Sequence, residues 1–332
     1  MTLSRKGRKK TSLILAPMAG VTDLPFRLLC KEFGADILYS EMVSATGFYY
    51  NKAKNLRFIN SCPQDSPLYI QLFGSDPKHF AKAARMIDSL PSVNEITDDR
   101  CASRRPEGID INFGCPVKKV MKQNSGCALM KNPTLSHEII RSVIENTTLP
   151  VSIKIRAGMD GYGALNFLEK VADLKWKSVI VHARTFSQGF SGSADLDLIR
   201  TIKKTFPHKN IIANGGIFAP EDSKRVLDAT NADGIAIARG ALGNPWIFNQ
   251  IKTYLASGEY IQPSTEEIKN AAMKHLGYFL KYNGERTIRE MRKHLGWYFQ
   301  GLPQSKKLRK QIFSVSSSED IKSIVKLLQQ AY

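Results

Sequence analysis

Acidic residues are the scarce class in this chain: 30 Asp plus Glu stand against 48 Lys plus Arg, leaving a formal net charge of +18 at pH 7. Such an imbalance says little about fold but selects partners, because a cationic protein releases counterions when it binds a polyanion. Nucleic acid is therefore favoured as a partner over a merely solvated basic surface. Long apolar runs are missing too. The apolar start SLILAP is broken at Pro17, far short of the roughly 20 residues a membrane helix needs. That brevity argues against a secretory leader, despite the basic RKGRKK that precedes it. No membrane association is expected.

Metal and nucleotide signatures are also lacking. The five cysteines, at 30, 62, 101, 115 and 127, form no C-x-x-C pair, and neither H-E-x-x-H nor G-x-x-x-x-G-K-[ST] occurs. No metal is expected. An odd number of unpaired thiols points to reduced cysteines and a cytoplasmic protein. The G-x-G at Gly161 to Gly163 lacks a third glycine and reads as a loop, so no separate dinucleotide fold is expected.

What is present is an alternation. Hydrophobic content of 42% and charged content of 23% describe an ordinary folded chain, and 332 residues admit two domains. Eight short apolar runs (SLILAP, ILYSEMV, PLYIQLF, GIDINF, VSIKIR, SVIVHA, NIIANG and GIAIAR) alternate with amphipathic stretches. Strands with no wet face imply parallel strands covered by helices. The count predicts a closed (β/α)8 TIM barrel over residues 11–248, with a doubly wound open sheet as the alternative. After NPWIF the periods are helical only, which predicts a small C-terminal helical bundle domain over 249–332. Residues 1–10 read as a basic, mobile N-terminus. Segment 91–107 is long for a connection from helix to strand. Such connections lie on the barrel face away from the active site, which discounts Cys101, Arg104 and Arg105.

Barrel enzymes carry their chemistry where strands end, so the strand ends hold the candidates. Strand one ends in Pro17, Met18 and Ala19; strand three contains Gln71; strand four ends in Asn112 and Cys115. Strand five carries Lys154 and Arg156, and strand six His182 and Arg184. Strand seven ends in Asn214, Gly215 and Gly216, and strand eight in Ala238 and Arg239. The glycines let backbone N–H groups approach an anion, so the last two strand ends suit a phosphate. Lys154 and Gln71 would address the polar edge of a flat heterocycle, one by charge and one by paired donor and acceptor. That set fits a flavin mononucleotide better than a dinucleotide. An ammonium inside an apolar strand needs a partner, which favours a functional Lys154. Taken singly, His182, Gln71 and Cys115 could each be core residues. Cys30, Cys62 and Cys127 read as packing.

Together APMAGVTDLPFR, INFGCPVKKV, ALMKNP, VSIKIRAG, VHART, ANGGI, ARGALGNPWIF and RKHLGWY resemble the tRNA-dihydrouridine synthases, in their bacterial B-type branch. The likeness runs from about residue 13 into the C-terminal helices. It implies an FMN enzyme that draws on NADPH and saturates the C5–C6 double bond of a uridine in tRNA. It places FMN contacts at Pro17, Met18, Ala19, Gln71, Lys154, His182, Asn214, Gly215, Gly216, Ala238 and Arg239. The proton donor falls on Cys115, and Asn112, Arg156 and Arg184 fall near the target base or its ribose-phosphate. Basic residues of the C-terminal helices, Arg292, Lys293, His294, Lys306, Lys307, Arg309 and Lys310, would hold tRNA phosphates. Trp297 and Tyr298 suit bundle packing better than RNA stacking. A monomer is expected. Ala238 and Ala183 stand where relatives often carry Gly, and segment 91–107 lies outside the likeness.

The residue type at 115 agrees with that chemistry. Hydride delivered to C6 of uracil builds negative charge across C5 and O4, so a positioned acid must protonate C5. An unactivated thiol, with a pKa near 8.5, still carries its proton at pH 7. Two other readings compete. A flavin barrel acting on a small molecule, of the dihydroorotate type, would leave the basic charge without a purpose. A non-catalytic RNA-binding protein would be colourless.

Overall fold

The computed structural model describes residues 11–51, 55–92, 102–302 and 305–327; the basic first ten residues and Cys101 lie outside them. Each of the eight apolar runs forms a strand: β1 (Ser12–Leu15), β2 (Ile37–Ser44), β3 (Leu68–Phe73), β4 (Gly108–Phe113), β5 (Val151–Arg156), β6 (Ser178–His182), β7 (Asn210–Asn214) and β8 (Gly234–Ile237). All pair in parallel with their sequence neighbours, and β8 pairs with β1 to close the barrel. The open doubly wound alternative is thereby set aside.

Strand periodicity sorts the side chains. Along β4, Ile109, Ile111 and Phe113 join the core under the helices, so Asp110 and Asn112 point into the barrel. Along β5, Ile153 and Ile155 point outward, which turns Ser152, Lys154 and Arg156 inward. Ile14, Tyr39, Ile180, Ile212 and Ala236 plug the interior, with the Tyr39 and Tyr69 rings stacked at 5.2 Å. A barrel filled in this way has room for a ligand only at its C-terminal mouth.

The covering helices are α1 (Leu24–Glu32), α2 (Ala45–Tyr50), α3 (Pro77–Asp88), α4 (Pro133–Ile144), α5 (Ala164–Lys170), α6 (Leu196–Thr205), α7 (Pro220–Thr230) and α8 (Ile247–Ser257). Helix α2 has no counterpart among the amphipathic stretches read from sequence, because its six residues are too few to show a period. Ile247, Phe248 and Ile251 of α8 belong to the barrel core. The barrel's last helix thus runs past the point where the sequence pattern changes. The described part of the long 91–107 segment is structural: Ala102–Ser103 pairs with Asn60–Ser61, and Arg105 bonds Asp88 and Thr148.

Helices α9 (Thr265–Tyr282), α10 (Met291–Tyr298), α11 (Ser305–Ser314) and α12 (Ser318–Leu327) form a second core around Leu276, Phe279, Leu295, Leu308 and Ile321. Helix α9 starts with a capping box, Ser264 accepting from the Glu267 N–H while the Glu267 carboxylate reaches back to the Ser264 N–H. Leu29 of α1 joins this core, and Asn283 donates to Asp23 at 2.8 Å, so the bundle is seated on the barrel. Among the described residues no helix is long and apolar enough to cross a membrane.

Gly243, after β8, makes that seating possible. Its φ is +66°, and a Cβ there would lie 2.4 Å from the backbone carbonyl of Trp297 in α10. Gly243→Ala is expected to cost about 2–4 kcal/mol, combining left-handed strain with a backbone clash. Urea unfolding measures this, and unchanged stability would show that α10 does not depend on the close approach.

Candidate active site

Fourteen of the residues singled out at the strand ends line one cavity at the C-terminal mouth. They are Pro17, Met18, Ala19, Gln71, Asn112, Cys115, Lys154, Arg156, His182, Asn214, Gly215, Gly216, Ala238 and Arg239. The cavity measures about 290 Å³, near the lower bound for small-molecule sites. Met42, Phe190 and Phe218 also line it and were not anticipated. Arg184, Arg292 and Lys293 do not line it.

A fully buried carboxylate organises the polar side. Asp110 accepts from Ser152 Oγ at 2.6 Å and from Gln71 Nε2 at 2.7 Å. Gln71 Oε1 accepts from Asn112 Nδ2 at 2.8 Å, and Asn112 Oδ1 accepts from the N–H groups of Gly114 and Cys115 at 3.1 and 2.9 Å. Because an ionised carboxylate only accepts, the direction of every amide along the chain is dictated from Asp110 outward. The result is a fixed backbone at Cys115. Sequence reading passed over Asp110, which sits within its strand and not at the end.

The same burial sets the proton states. Burial pushes the Asp110 carboxyl up to about 6, against the Gln71 and Ser152 hydrogen bonds and the Lys154 charge. Burial, then Arg156, pulls Lys154 down to about 8, while Asp110 acts in the opposite direction. Lys154 Nζ has a long bond of 3.3 Å to Asn214 Oδ1. Burial and the surrounding cations hold His182 down to about 2, so its imidazole is neutral at pH 7. Burial raises the Cys115 thiol above its ordinary value, outweighing the Val117 N–H and the Arg156 and Lys154 charges. Cys115 is therefore a protonated thiol at neutral pH.

The two arginines expected near the RNA are engaged with backbone carbonyls. Arg156 donates to Gly114 O, Thr185 O and Gly189 O at 3.0 to 3.1 Å, tying the Cys115 loop to the loop after β6. Arg184 donates to Ser191 O and Gly192 O. Its Nη1 is buried without a hydrogen-bond partner. In the bundle, Arg292 donates to Val315 O and Lys293 stands 4.0 Å from Glu290. His294 is buried against Phe26, His275 and Trp297, so it faces no phosphate. Tyr298 is buried with its hydroxyl on His275, as packing requires. Lys306, Lys307, Arg309 and Lys310 are exposed.

The residues fit a phosphorylated flavin. Lys154 offers a half-buried ammonium to the cavity with a weak internal partner, and such a charge needs an acceptor. Gly215, at φ +111°, leaves a cradle that a Cβ would fill, 2.9 Å from His182 Cδ2 and 3.3 Å from the unpartnered Arg184 Nη1. Among the described residues no group of three or more His, Cys, Asp and Glu could hold a metal ion.

Comparison with known proteins identifies the family. The family described as dihydrouridine synthase (Dus) matches residues 14–332. The chain is 36% identical over 305 residues to tRNA-dihydrouridine synthase B of Pseudomonas putida, covering 90% of this chain and 86% of that one. It is 38% identical to a probable tRNA-dihydrouridine synthase of Rickettsia conorii, covering 90% and 87%. Among solved structures, histamine dehydrogenase from Rhizobium sp. 4-9 superposes with a TM-score of 0.52 at 13% identity, over 83% of this chain and 50% of that chain. This last likeness concerns the fold alone. With the family matched over almost the whole length, the chain belongs to the dihydrouridine synthases and is an oxidoreductase.

Proposed function

We propose that the protein reduces the C5–C6 double bond of a uridine in tRNA, with FMN as its cofactor, NADPH as the reductant and Cys115 as the proton donor. The observation that carries this reading is a protonated thiol and a half-buried ammonium lining one cavity. Gln71, Lys154 and His182 would hold the isoalloxazine edge. Pro17, Met18 and Ala19 would hold its face, and Asn214, Gly215, Gly216, Ala238 and Arg239 would hold the phosphate arm. Bound FMN supplies the hydride. Asn112, fixed through Gln71, presents the loop on which the Cys115 thiol gives its proton to C5 of the uracil. Neutral His182 donates or accepts one hydrogen bond without adding charge.

The exposed Lys306, Lys307, Arg309 and Lys310, with Lys293, would carry tRNA phosphates, while Arg292 braces their helices through Val315. Family membership weighs against both a small-molecule flavin oxidoreductase and a non-catalytic RNA-binding protein.

Four outcomes are expected. Cys115→Ala should retain FMN and lose about 10²- to 10⁴-fold in dihydrouridine formation on unmodified tRNA transcript; undiminished turnover removes the thiol from the mechanism. FMN affinity should fall as pH rises through about 8, where Lys154 loses its proton. Asp110→Asn removes the negative charge facing Lys154, so that midpoint should move lower. Fluorescence titration of FMN reads both, and an identical midpoint would deny Asp110 its role as counter-charge. Lys306→Glu with Lys307→Glu should weaken tRNA binding and flatten its salt dependence by about two phosphate contacts, with FMN still bound. A filter-binding series that matches the parent at every salt concentration rules out this surface.

A further inference from the structure

Two phenylalanines at the cavity mouth belong to none of the hydrophobic clusters of the fold, although Phe190 lies with its ring centre 6.2 Å from that of His182. Phe190, in the loop after β6, is 58% exposed, and Phe218, after β7, is 50% exposed, although both line the cavity. Large apolar rings left in water at a cavity rim mark an interaction site. The Arg239 guanidinium lies 4.1 Å from the Phe190 ring centre and 5.4 Å from that of Phe218. Arg156 stands 5.9 Å from the Phe190 ring.

The backbone that carries both rings is held in place. Arg156 bonds Thr185 O and Gly189 O, and Arg184 bonds Ser191 O and Gly192 O, so carbonyls on both sides of Phe190 are pinned. The Phe218 N–H donates to Asp222 Oδ2 at 3.0 Å, at the start of α7. Ordering entropy is thus already spent before a ligand arrives.

We infer that Phe190 and Phe218, with Arg239 against them, form a stacking subsite for the nucleotide that adjoins the target uridine in the RNA strand. The inference rests on the reading that the substrate is RNA. Extruding a uridine strips its neighbour of a stacking partner and exposes that neighbour's ring face. A phenyl ring at the mouth replaces the lost contact. Because every base has a π face, such a platform tolerates sequence while the thiol deeper in the cavity meets only the extruded base.

The test uses the full-length, FMN-loaded protein with Phe190→Leu, Phe218→Leu and Phe190→Trp, and unmodified tRNA transcript as probe. Each Leu variant should bind tRNA roughly 5- to 100-fold more weakly, the range expected for one lost base–aromatic stack. The slope of log affinity against log salt should match the parent, since no phosphate contact is removed. FMN affinity should stay within about twofold, and Phe190→Trp should restore tRNA binding. Weaker FMN binding with unchanged tRNA affinity would overturn the inference and assign the rings to the flavin. A salt slope lowered by about one would assign the effect to a lost phosphate contact, and unchanged affinities for both ligands would leave the rings no such role. If the parent itself forms no dihydrouridine on that transcript, the proposed function fails and not merely the subsite.

Discussion

A carboxylate sealed inside the barrel is the constraint on which the site depends. Asp110 is buried, and each of its oxygens accepts a hydrogen bond, one from β3 and one from β5. Since it can only accept, it orders Gln71, then Asn112, then the backbone under Cys115, without any choice of amide orientation remaining. Its charge also opposes the burial that draws the proton off Lys154. One group thereby links the placing of the proton donor to the charge available for a cofactor.

Burial then does opposite things to neighbouring groups, each in the direction that disfavours charge. It keeps the Cys115 thiol protonated and His182 neutral, while Lys154 stays a cation at neutral pH by a narrow margin. A cavity whose one poised cation faces a thiol that keeps its proton suits reduction of a polarised double bond. A nucleophilic cysteine would need the reverse, with its pKa depressed by the same cations.

Most of the barrel was legible because strand and helix periods differ and each strand is apolar at alternating positions. The inward polar residues stood out for the same reason: Lys154 and Asn112 interrupt otherwise apolar runs. Asp110 interrupts one too, yet its meaning depends on Gln71 and Ser152, 39 and 42 residues away, which only barrel register brings to it. Arg184 and Arg292 were legible as charges, whereas their carbonyl partners belong to loops whose course has no period. His294 looked like part of a basic face, but its helical phase turns it into the bundle core. Phe190 and Phe218 lie in loops, where periodicity says nothing about exposure.

The central claim is that Cys115 reaches its substrate with the proton still on sulfur. Alkylation of Cys115 by iodoacetamide, followed by peptide mass spectrometry across a pH series, measures the thiol directly. The rate should rise only above the ordinary thiol range, since burial outweighs the nearby cations. A thiol already alkylated rapidly and at its plateau by pH 7 would contradict the account.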